Sequence, residues 1–279
     1  MKVVVLMENI CDREELEVEH GLSLYIESED KKILLDTGSS GKFVKNAERL
    51  GINLSKVDMA ILSHGHYDHV GGLLDFFNVN DKAKIYLKTD ACKDYYAGKL
   101  GLYKYIGIDK TVLDKYMDRL VLVDKLQEIH KNMFIITDLI KEYPMPEGNK
   151  SLYKKEGNKY VKDDFNHELM LVIREVDGIV TFTGCSHNGI MNMIKTAKYT
   201  FKDEHIKAIV GGFHLMTVPS RGLFCMKQEK VDVISNFIAS ENIGKVYTGH
   251  CTGKEGYDRL KKILGHKVEY ITVGSEINI

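Results

Sequence analysis

The chain has 279 residues, and its 39 basic and 40 acidic side chains give a formal net charge of −1. Hydrophobic residues make up 44% and charged residues 28%, which excludes a disordered chain, and the charge balance predicts no nucleic-acid or membrane partner. Apolar runs such as Val3–Met7 are far shorter than the ~20 residues that span a bilayer. The five cysteines are scattered and odd in number, which argues against a disulfide framework and favours a cytoplasmic protein.

The first third of the chain predicts short strands joined by turns. We expect a strand at Val3–Met7 and a hairpin formed by Leu22–Glu27 and Lys32–Asp36. Apolar residues at helical spacing then predict a helix over Lys42–Leu50. The buried strand expected at Asp58–Leu62 runs directly into a histidine-rich turn.

The middle of the chain differs in composition from both ends. Residues 90–165 are rich in lysine, aspartate and tyrosine, and they contain two of the three prolines, Pro144 and Pro146. We interpret them as an inserted cap within a single domain spanning residues 1–279. The cap is either a solvated insertion or a lid whose tyrosines meet a substrate.

The strongest sign of chemistry is a His-x-His-x-Asp-His cluster directly after that buried strand. It consists of His64, His66, Asp68 and His69, with Gly65 giving the backbone room to turn. Imidazole nitrogens with a carboxylate suit zinc, and iron or manganese less strictly. The cluster therefore predicts a metal site in which His64 and His66 serve one ion, and Asp68 and His69 serve a neighbouring ion.

Strands of the second half also end in glycine and then histidine. They are predicted at Gly178–Thr183, Ile206–Val210 and Lys245–Thr248. His187 follows the first, His214 the second and His250 the third. A lone histidine is a weak signal, but the shared position at strand ends indicates delivery to one edge of a rigid sheet.

These segments resemble the metallo-beta-lactamase superfamily over most of the chain. Residues 34–38 resemble its first motif, residues 63–69 its metal signature and residues 248–253 its last ligand motif. Residues 19–23, 183–187 and 211–215 resemble one branch more narrowly. That branch is labelled beta-lactamase superfamily II metal-dependent hydrolases, or dihydropterin–ribofuranosylaminobenzene phosphate synthase. The resemblance implies an α+β fold, a four-layer αββα sandwich of two mixed sheets with helices outside.

The resemblance also implies two divalent ions, zinc before iron or manganese. By resemblance to the family's metal ligands, the first ion would be bound by His64, His66 and His187. The second ion would be bound by Asp68, His69 and His250. Asp68 would also accept a proton from the attacking water.

The chain departs from the family pattern at the third and bridging ligands. Many relatives place a bridging aspartate where this chain has Cys185, and an earlier histidine for which His167 is the candidate. Cys185, His167 and Glu168 stay open as alternatives.

Three other residues are expected at the site without binding metal. Asp36 and His20 would support the ligand side chains, as carboxylates often do for ligand histidines. His214 is either a structural histidine or a donor to a developing oxyanion or phosphate.

We therefore expect a metal-dependent hydrolase that uses a metal-bound hydroxide on a small-molecule ester, lactone or phosphate. The alternatives are a synthase-like transferase, and a metal-bound sensing or binding module with little turnover. Two other functions are disfavoured. A flavodiiron oxidoreductase would usually carry glutamate at the position of His66, and a tRNA-end nuclease would need a basic arm that the charge of this chain does not indicate. The sequence does not indicate an oligomeric state.

Overall fold

The computed structural model describes residues 1–202, 204–216 and 226–279. Its strands, in chain order, are β1 Lys2–Met7, β2 Ser23–Ser28, β3 Lys31–Leu35, β4 Met59–Ile61, β5 Lys84–Leu87, β6 Tyr95–Lys99, β7 Leu102–Tyr105, β8 Leu120–Leu122, β9 Gln127–His130, β10 Met133–Ile136, β11 Leu152–Glu156, β12 Lys159–Lys162, β13 Met170–Glu175, β14 Gly178–Phe182, β15 Ile206–Val210, β16 Lys245–Thr248, β17 Val268–Tyr270 and β18 Glu276–Asn278. Its helices are α1 Lys42–Arg49, α2 Tyr67–Val70, α3 Leu73–Val79, α4 Lys110–Lys115, α5 Ile190–Thr200, α6 Gln228–Ser240 and α7 Gly253–Leu264.

The described residues form two compact units. The first unit consists of Met1–Asp124, Ser151–His167 and Thr272–Ile279. The second unit consists of Lys125–Lys150 and Glu168–Ile271.

The first unit is built on a mixed seven-stranded sheet. Its strand order is β18-β1-β2-β3-β4-β5-β8, antiparallel from β18 to β3 and parallel from β3 to β8. Helix α1 buries Phe43 and Ala47, one turn apart, and α3 buries Leu73 and Phe76, so each helix covers the sheet with one apolar face. Helix α1 ends before Gly51, whose φ of 72° suits the left-handed residue that follows many helices.

The predicted hairpin is present in this sheet. Ser28 pairs with Lys31, which leaves a two-residue turn, and Glu29 takes the positive φ that such a turn requires. The parallel strands β3 and β4 both end at the edge where Asp36 and the histidine-rich turn begin.

Residues 90–165 contribute strands to three different sheets. Strands β6, β7, β11 and β12 form an antiparallel four-stranded sheet of the first unit, in the order β12-β11-β6-β7. Strand β8 extends the seven-stranded sheet of the first unit, whereas β9 and β10 belong to the second unit. On the four-stranded sheet Tyr103 stacks on Tyr160 with ring centroids 3.8 Å apart, so each ring already covers one face of the other.

The second unit is built on another mixed sheet with the order β17-β16-β15-β14-β13-β10-β9. Strands β14 to β17 are parallel, and α5, α6 and α7 connect them in turn. Ile190, Ile194 and Ala197 of α5 lie in the apolar core beside the sheet. Because the strands are parallel, the loops after β14, β15 and β16 leave the same edge.

None of the helices described is long and apolar enough to cross a bilayer. Cys11, Cys92, Cys185 and Cys251 are free thiols, and Cys225 lies outside the described residues.

Candidate metal centre

The histidine-rich turn of the first unit brings its four predicted ligands together in a buried cluster. The ring centroids of His64 and His69 are 4.2 Å apart, and those of His64 and His66 are 4.7 Å apart. Ligand atoms of His64, His66 and Asp68 all lie within 4.8 Å of one another. Gly65 is required here, because a Cβ at this position would lie 2.6 Å from the Ala91 carbonyl oxygen. The local fold thus gathers donor atoms of the kind that bind zinc.

Asp36 organises the histidines of this cluster. Its Oδ1 accepts from the Ser63 N–H, and its Oδ2 accepts from the Ser63 hydroxyl and from His69 Nδ1, each at 2.7 Å. Because Ser63 gives its only hydroxyl hydrogen to Asp36, its oxygen can only accept from His64 Nδ1, 2.9 Å away. The network therefore assigns the protons of His64 and His69 to Nδ1 and leaves Nε2 of both rings with a lone pair.

The electrostatics of the cluster suit a metal ion. Burial lowers the pKa of His64 well below its usual value, and the nearby His69 and His66 rings lower it further. The ring is therefore neutral near pH 7, which is the form that binds a metal. Asp36 contacts His69 directly and His64 through the Ser63 hydroxyl, and its role in supporting metal ligands stays a prediction.

His20 contacts the carboxylate of Asp68, one of the predicted metal ligands. Its Nε2 is 3.3 Å from Asp68 Oδ2, and the same carboxylate oxygen is 3.8 Å from His69 Nε2. His20 is partly exposed whereas His69 is fully buried, so Asp68 stands between the buried cluster and the more accessible His20.

His167 and Asp163 stabilise the histidine-rich turn through hydrogen bonds. The Gly65 N–H donates to His167 Nδ1 at 3.0 Å, and His167 Nε2 lies 3.0 Å from Asp163 Oδ2. Burial lowers the pKa of His167, so its neutral ring donates from Nε2. Burial raises the pKa of Asp163, but the rings of His167 and His66 outweigh it and hold that pKa below its usual range. Both nitrogens of His167 thus contact protein groups, and its ligand role stays a prediction.

The three loops at the sheet edge of the second unit are joined by polar contacts. The Ser186 hydroxyl donates to the Gly212 carbonyl at 2.7 Å, and the His214 N–H donates to Cys251 Sγ at 3.2 Å. The ring centroids of His187 and His214 are 4.2 Å apart. His250, two residues after β16, is fully buried.

His187 is fixed by two residues, of which the sequence indicated only one. Asn149 Oδ1 lies 2.9 Å from His187 Nδ1, and the Asn149 amide donates to the His187 carbonyl at 2.8 Å. Glu168 accepts from the His187 N–H at 2.7 Å, and from the backbone and side-chain N–H groups of Asn188, each at 2.8 Å. Asn149 thus leaves Nε2 as the acceptor nitrogen of His187, and Glu168 holds the loop.

Several predicted site residues adopt the left-handed backbone. Asp36, His214 and His250 have φ values of 61°, 47° and 51°, and Ser186, directly before His187, has a φ of 57°. Non-glycine residues rarely do this, and such strain concentrates at functional sites. The strand ends that carry the predicted site are therefore also where backbone strain is held.

The comparisons with known proteins agree with the fold and with this chemistry. The model of the metallo-beta-lactamase superfamily matches residues 16–185, more than half of the chain. The chain belongs to the metallo-beta-lactamase superfamily. The predicted membership and the predicted α+β fold class are confirmed. The buried histidine and carboxylate groups of the first unit, and the buried histidine and thiol groups of the second unit, suit a superfamily whose members generally bind divalent metals.

Three known proteins resemble the chain over most of its length. An uncharacterised protein of Methanocaldococcus jannaschii is 32% identical over 94% of both chains. From the same organism, 7,8-dihydropterin-6-methyl-4-(beta-D-ribofuranosyl)-aminobenzene-5'-phosphate synthase is 30% identical over 87% of both. A crystal structure described as a metal-dependent hydrolase of the beta-lactamase superfamily is 30% identical, with a TM-score of 0.84 over 100% of this chain and 99% of its own.

Proposed function

We propose that the chain is a metal-dependent hydrolase of a small-molecule ester, lactone or phosphate. The observation that carries the proposal is the Asp36 network, which keeps Nε2 of His64 and His69 unprotonated inside a buried cluster. A structural histidine needs no such control of both rings, whereas a metal ligand does.

The ligand sets are those implied by the family resemblance. His64, His66 and His187 would hold one ion, and Asp68, His69 and His250 a second, with zinc as the first choice. Cys185, His167 and Glu168 stay open as the third or bridging ligand. Glu168 accepts from the backbone N–H groups of His187 and Asn188, and His167 accepts from that of Gly65.

Two side chains of the protein would take part in the reaction beside the metal, one as proton acceptor and one as hydrogen-bond donor. A bound divalent ion polarises the substrate oxygen and acidifies a water molecule. Asp68, held near His20, would accept a proton. His214 would donate to the oxyanion or phosphate that develops.

Metal content and activity of the purified protein test this proposal together. We expect one or two zinc ions per chain by elemental analysis and chelator-sensitive hydrolysis of at least one ester, lactone or phosphodiester in a panel. His66→Ala should lose both, whereas His266→Ala, at an exposed position, should keep both. Full hydrolysis by His66→Ala would refute the proposal.

The synthase reaction is the second candidate, since a relative named as that synthase is 30% identical over most of the chain. Formation of the condensation product from the pterin and the ribofuranosylaminobenzene phosphate, without hydrolysis of the panel, would favour it. Metal binding with neither reaction would favour a sensing module.

The proposed setting is cytoplasmic, with a small-molecule substrate and no nucleic-acid partner. The free thiols among the described cysteines and the balanced net charge support it.

A further inference from the structure

The second unit contains an apolar cavity of about 190 Å³. Ile190, Met191 and Phe213 form part of its wall, and Ile234 and Val233 of α6 close another side. An engineered cavity of roughly 150 Å³ with similar aliphatic and aromatic walls binds benzene, so this space suits one phenyl ring or a branched alkyl group of that size. It is too small for a whole drug-sized ligand, whose pockets run from about 300 Å³.

The cavity wall is continuous with the loops that carry His187, a predicted metal ligand, and His214, a predicted catalytic residue. Gly189, in the wall, follows His187 by two residues, and Phe213 directly precedes His214. The rings of these two histidines are 4.2 Å apart at their centroids. A group held in the cavity would therefore place whatever is attached to it beside this pair.

A second wall segment makes the same connection. Residues 144–147 line the cavity, and the next two residues, Gly148 and Asn149, contact the histidines. A Cβ on Gly148 would lie 2.7 Å from His214 Nε2, so glycine lets the backbone rest against that ring. Asn149 bonds both the ring and the carbonyl of His187. One short segment thus shapes the cavity and positions both histidines.

One carboxylate and one ammonium group line the cavity, and two further lysines lie near that carboxylate outside the lining. Glu147 and Lys230 belong to its lining and form an ion pair at 2.5 Å. Lys150 lies 3.9 Å from the same glutamate, and Lys227 also acts on it electrostatically. Three lysines around one carboxylate favour a ligand whose polar end is an anion.

We propose that this cavity binds the apolar group of an anionic substrate, a phenyl ring or a branched alkyl group next to a carboxylate or phosphate. The assignment of that ligand as the substrate rests on the proposed hydrolase function; its binding does not. Met191 and Met226 in the wall let the cavity adapt to either shape, because methionine side chains are flexible and polarisable.

Binding can be measured site by site through the methionines. In protein labelled with ¹³C at the methionine methyl groups, phenylacetate should shift the Met191 and Met226 signals saturably, and acetate should not. The signals are assigned with Met191→Leu and Met226→Leu. The neutral probe 2-phenylethanol should bind at least tenfold more weakly than phenylacetate; equal binding would overturn the anionic part of the proposal.

A matched pair of variants on α6 tests the location. Val233 is 58% exposed at the cavity, so Val233→Trp should block it without disturbing the core and weaken phenylacetate binding at least tenfold. Ala239→Trp, at an exposed position of the same helix that does not line the cavity, should leave binding unchanged. Unchanged binding in Val233→Trp would refute the location.

Hydrolysis separates this inference from the function on which it draws. We expect Val233→Trp to lower kcat/KM for the methyl monoester of phenylmalonate, which carries a phenyl ring beside a carboxylate, at least tenfold, and Ala239→Trp to leave it unchanged. If esters are hydrolysed but the methionine signals do not move, the cavity proposal fails and the hydrolase stands. If the signals move but no ester, lactone or phosphate is hydrolysed, the hydrolase fails and the cavity remains a binding site.

Discussion

Replacing Asp36 by asparagine should remove the hydrogen bonds that keep the ring protons of His64 and His69 on Nδ1, the form in which Nε2 can bind a metal. Asparagine keeps the size of the side chain and tolerates the positive φ of 61° at this position. In one amide orientation its NH2 group faces the Ser63 hydroxyl and His69 Nδ1, both of which donate to Oδ2 in the native protein. His69 must then move its proton to Nε2, the nitrogen needed for the metal.

The opposite orientation of the introduced amide is also unfavourable. Its NH2 group then faces the buried Ser63 N–H, which donates to Oδ1 at 2.7 Å. A carboxylate that orients a ligand histidine is worth about 10- to 100-fold in metal affinity. Losing one or two charge-assisted hydrogen bonds should also lower the unfolding free energy by about 2–4 kcal/mol.

Competition with a chromophoric zinc chelator measures the affinity, and urea unfolding of the metal-free protein measures the stability. Asp58→Asn is the matched control, since it removes the same charge from a carboxylate that accepts a backbone hydrogen bond from Lys32, at 2.9 Å, and that lies outside the predicted site. We expect its zinc affinity to match the native value. Asp36→Asn with zinc affinity within twofold of native would refute the reasoning.

Three further predictions concern the second unit. Asn149→Ala removes the acceptor that holds His187 Nδ1, and should lower zinc affinity about tenfold in the same competition assay, with an unchanged value counting against it. Glu168→Gln turns an amide toward the buried N–H groups of the His187 loop, and should lower the unfolding free energy in urea by about 1–3 kcal/mol; native stability would contradict it. The Lys198 ammonium holds the pKa of Glu241 below its usual value, so this carboxylate stabilises the fold above about pH 4 and the gain is lost as pH falls through the lowered pKa. Glu241→Gln should therefore cost about 0.5 kcal/mol at pH 7 and nothing near pH 2, and a gap that is independent of pH would exclude this ion pair as its source.

Local patterns were enough to predict the parts of the molecule that depend on neighbouring residues. The hairpin before Asp36 and the strand that precedes His64 follow from alternation and turn residues close together in the chain. The His-x-His-x-Asp-His cluster is contiguous, so its chemistry can be read without a fold.

Long-range partners could not be predicted in this way. Asn149 contacts His187 across 38 residues, and nothing in its polar surroundings distinguishes it from a solvated asparagine. Composition likewise cannot say that β8 pairs with β5 while β9 and β10 join a sheet of the second unit. Those pairings depend on register between distant strands, which a single sequence does not encode locally.

Asp36 Oδ2 accepts from His69 Nδ1 directly and is connected to His64 through the Ser63 hydroxyl, so the two rings are linked by one chain of hydrogen bonds. A cation bound to His69 draws electron density from the ring, so its Nδ1–H donates more strongly to Asp36 Oδ2. The same oxygen then accepts less strongly from the Ser63 hydroxyl, which changes the hydrogen bond between Ser63 and His64. The binding isotherm for successive ions should therefore depart from that of two independent sites, and the proton release that accompanies each ion should be unequal.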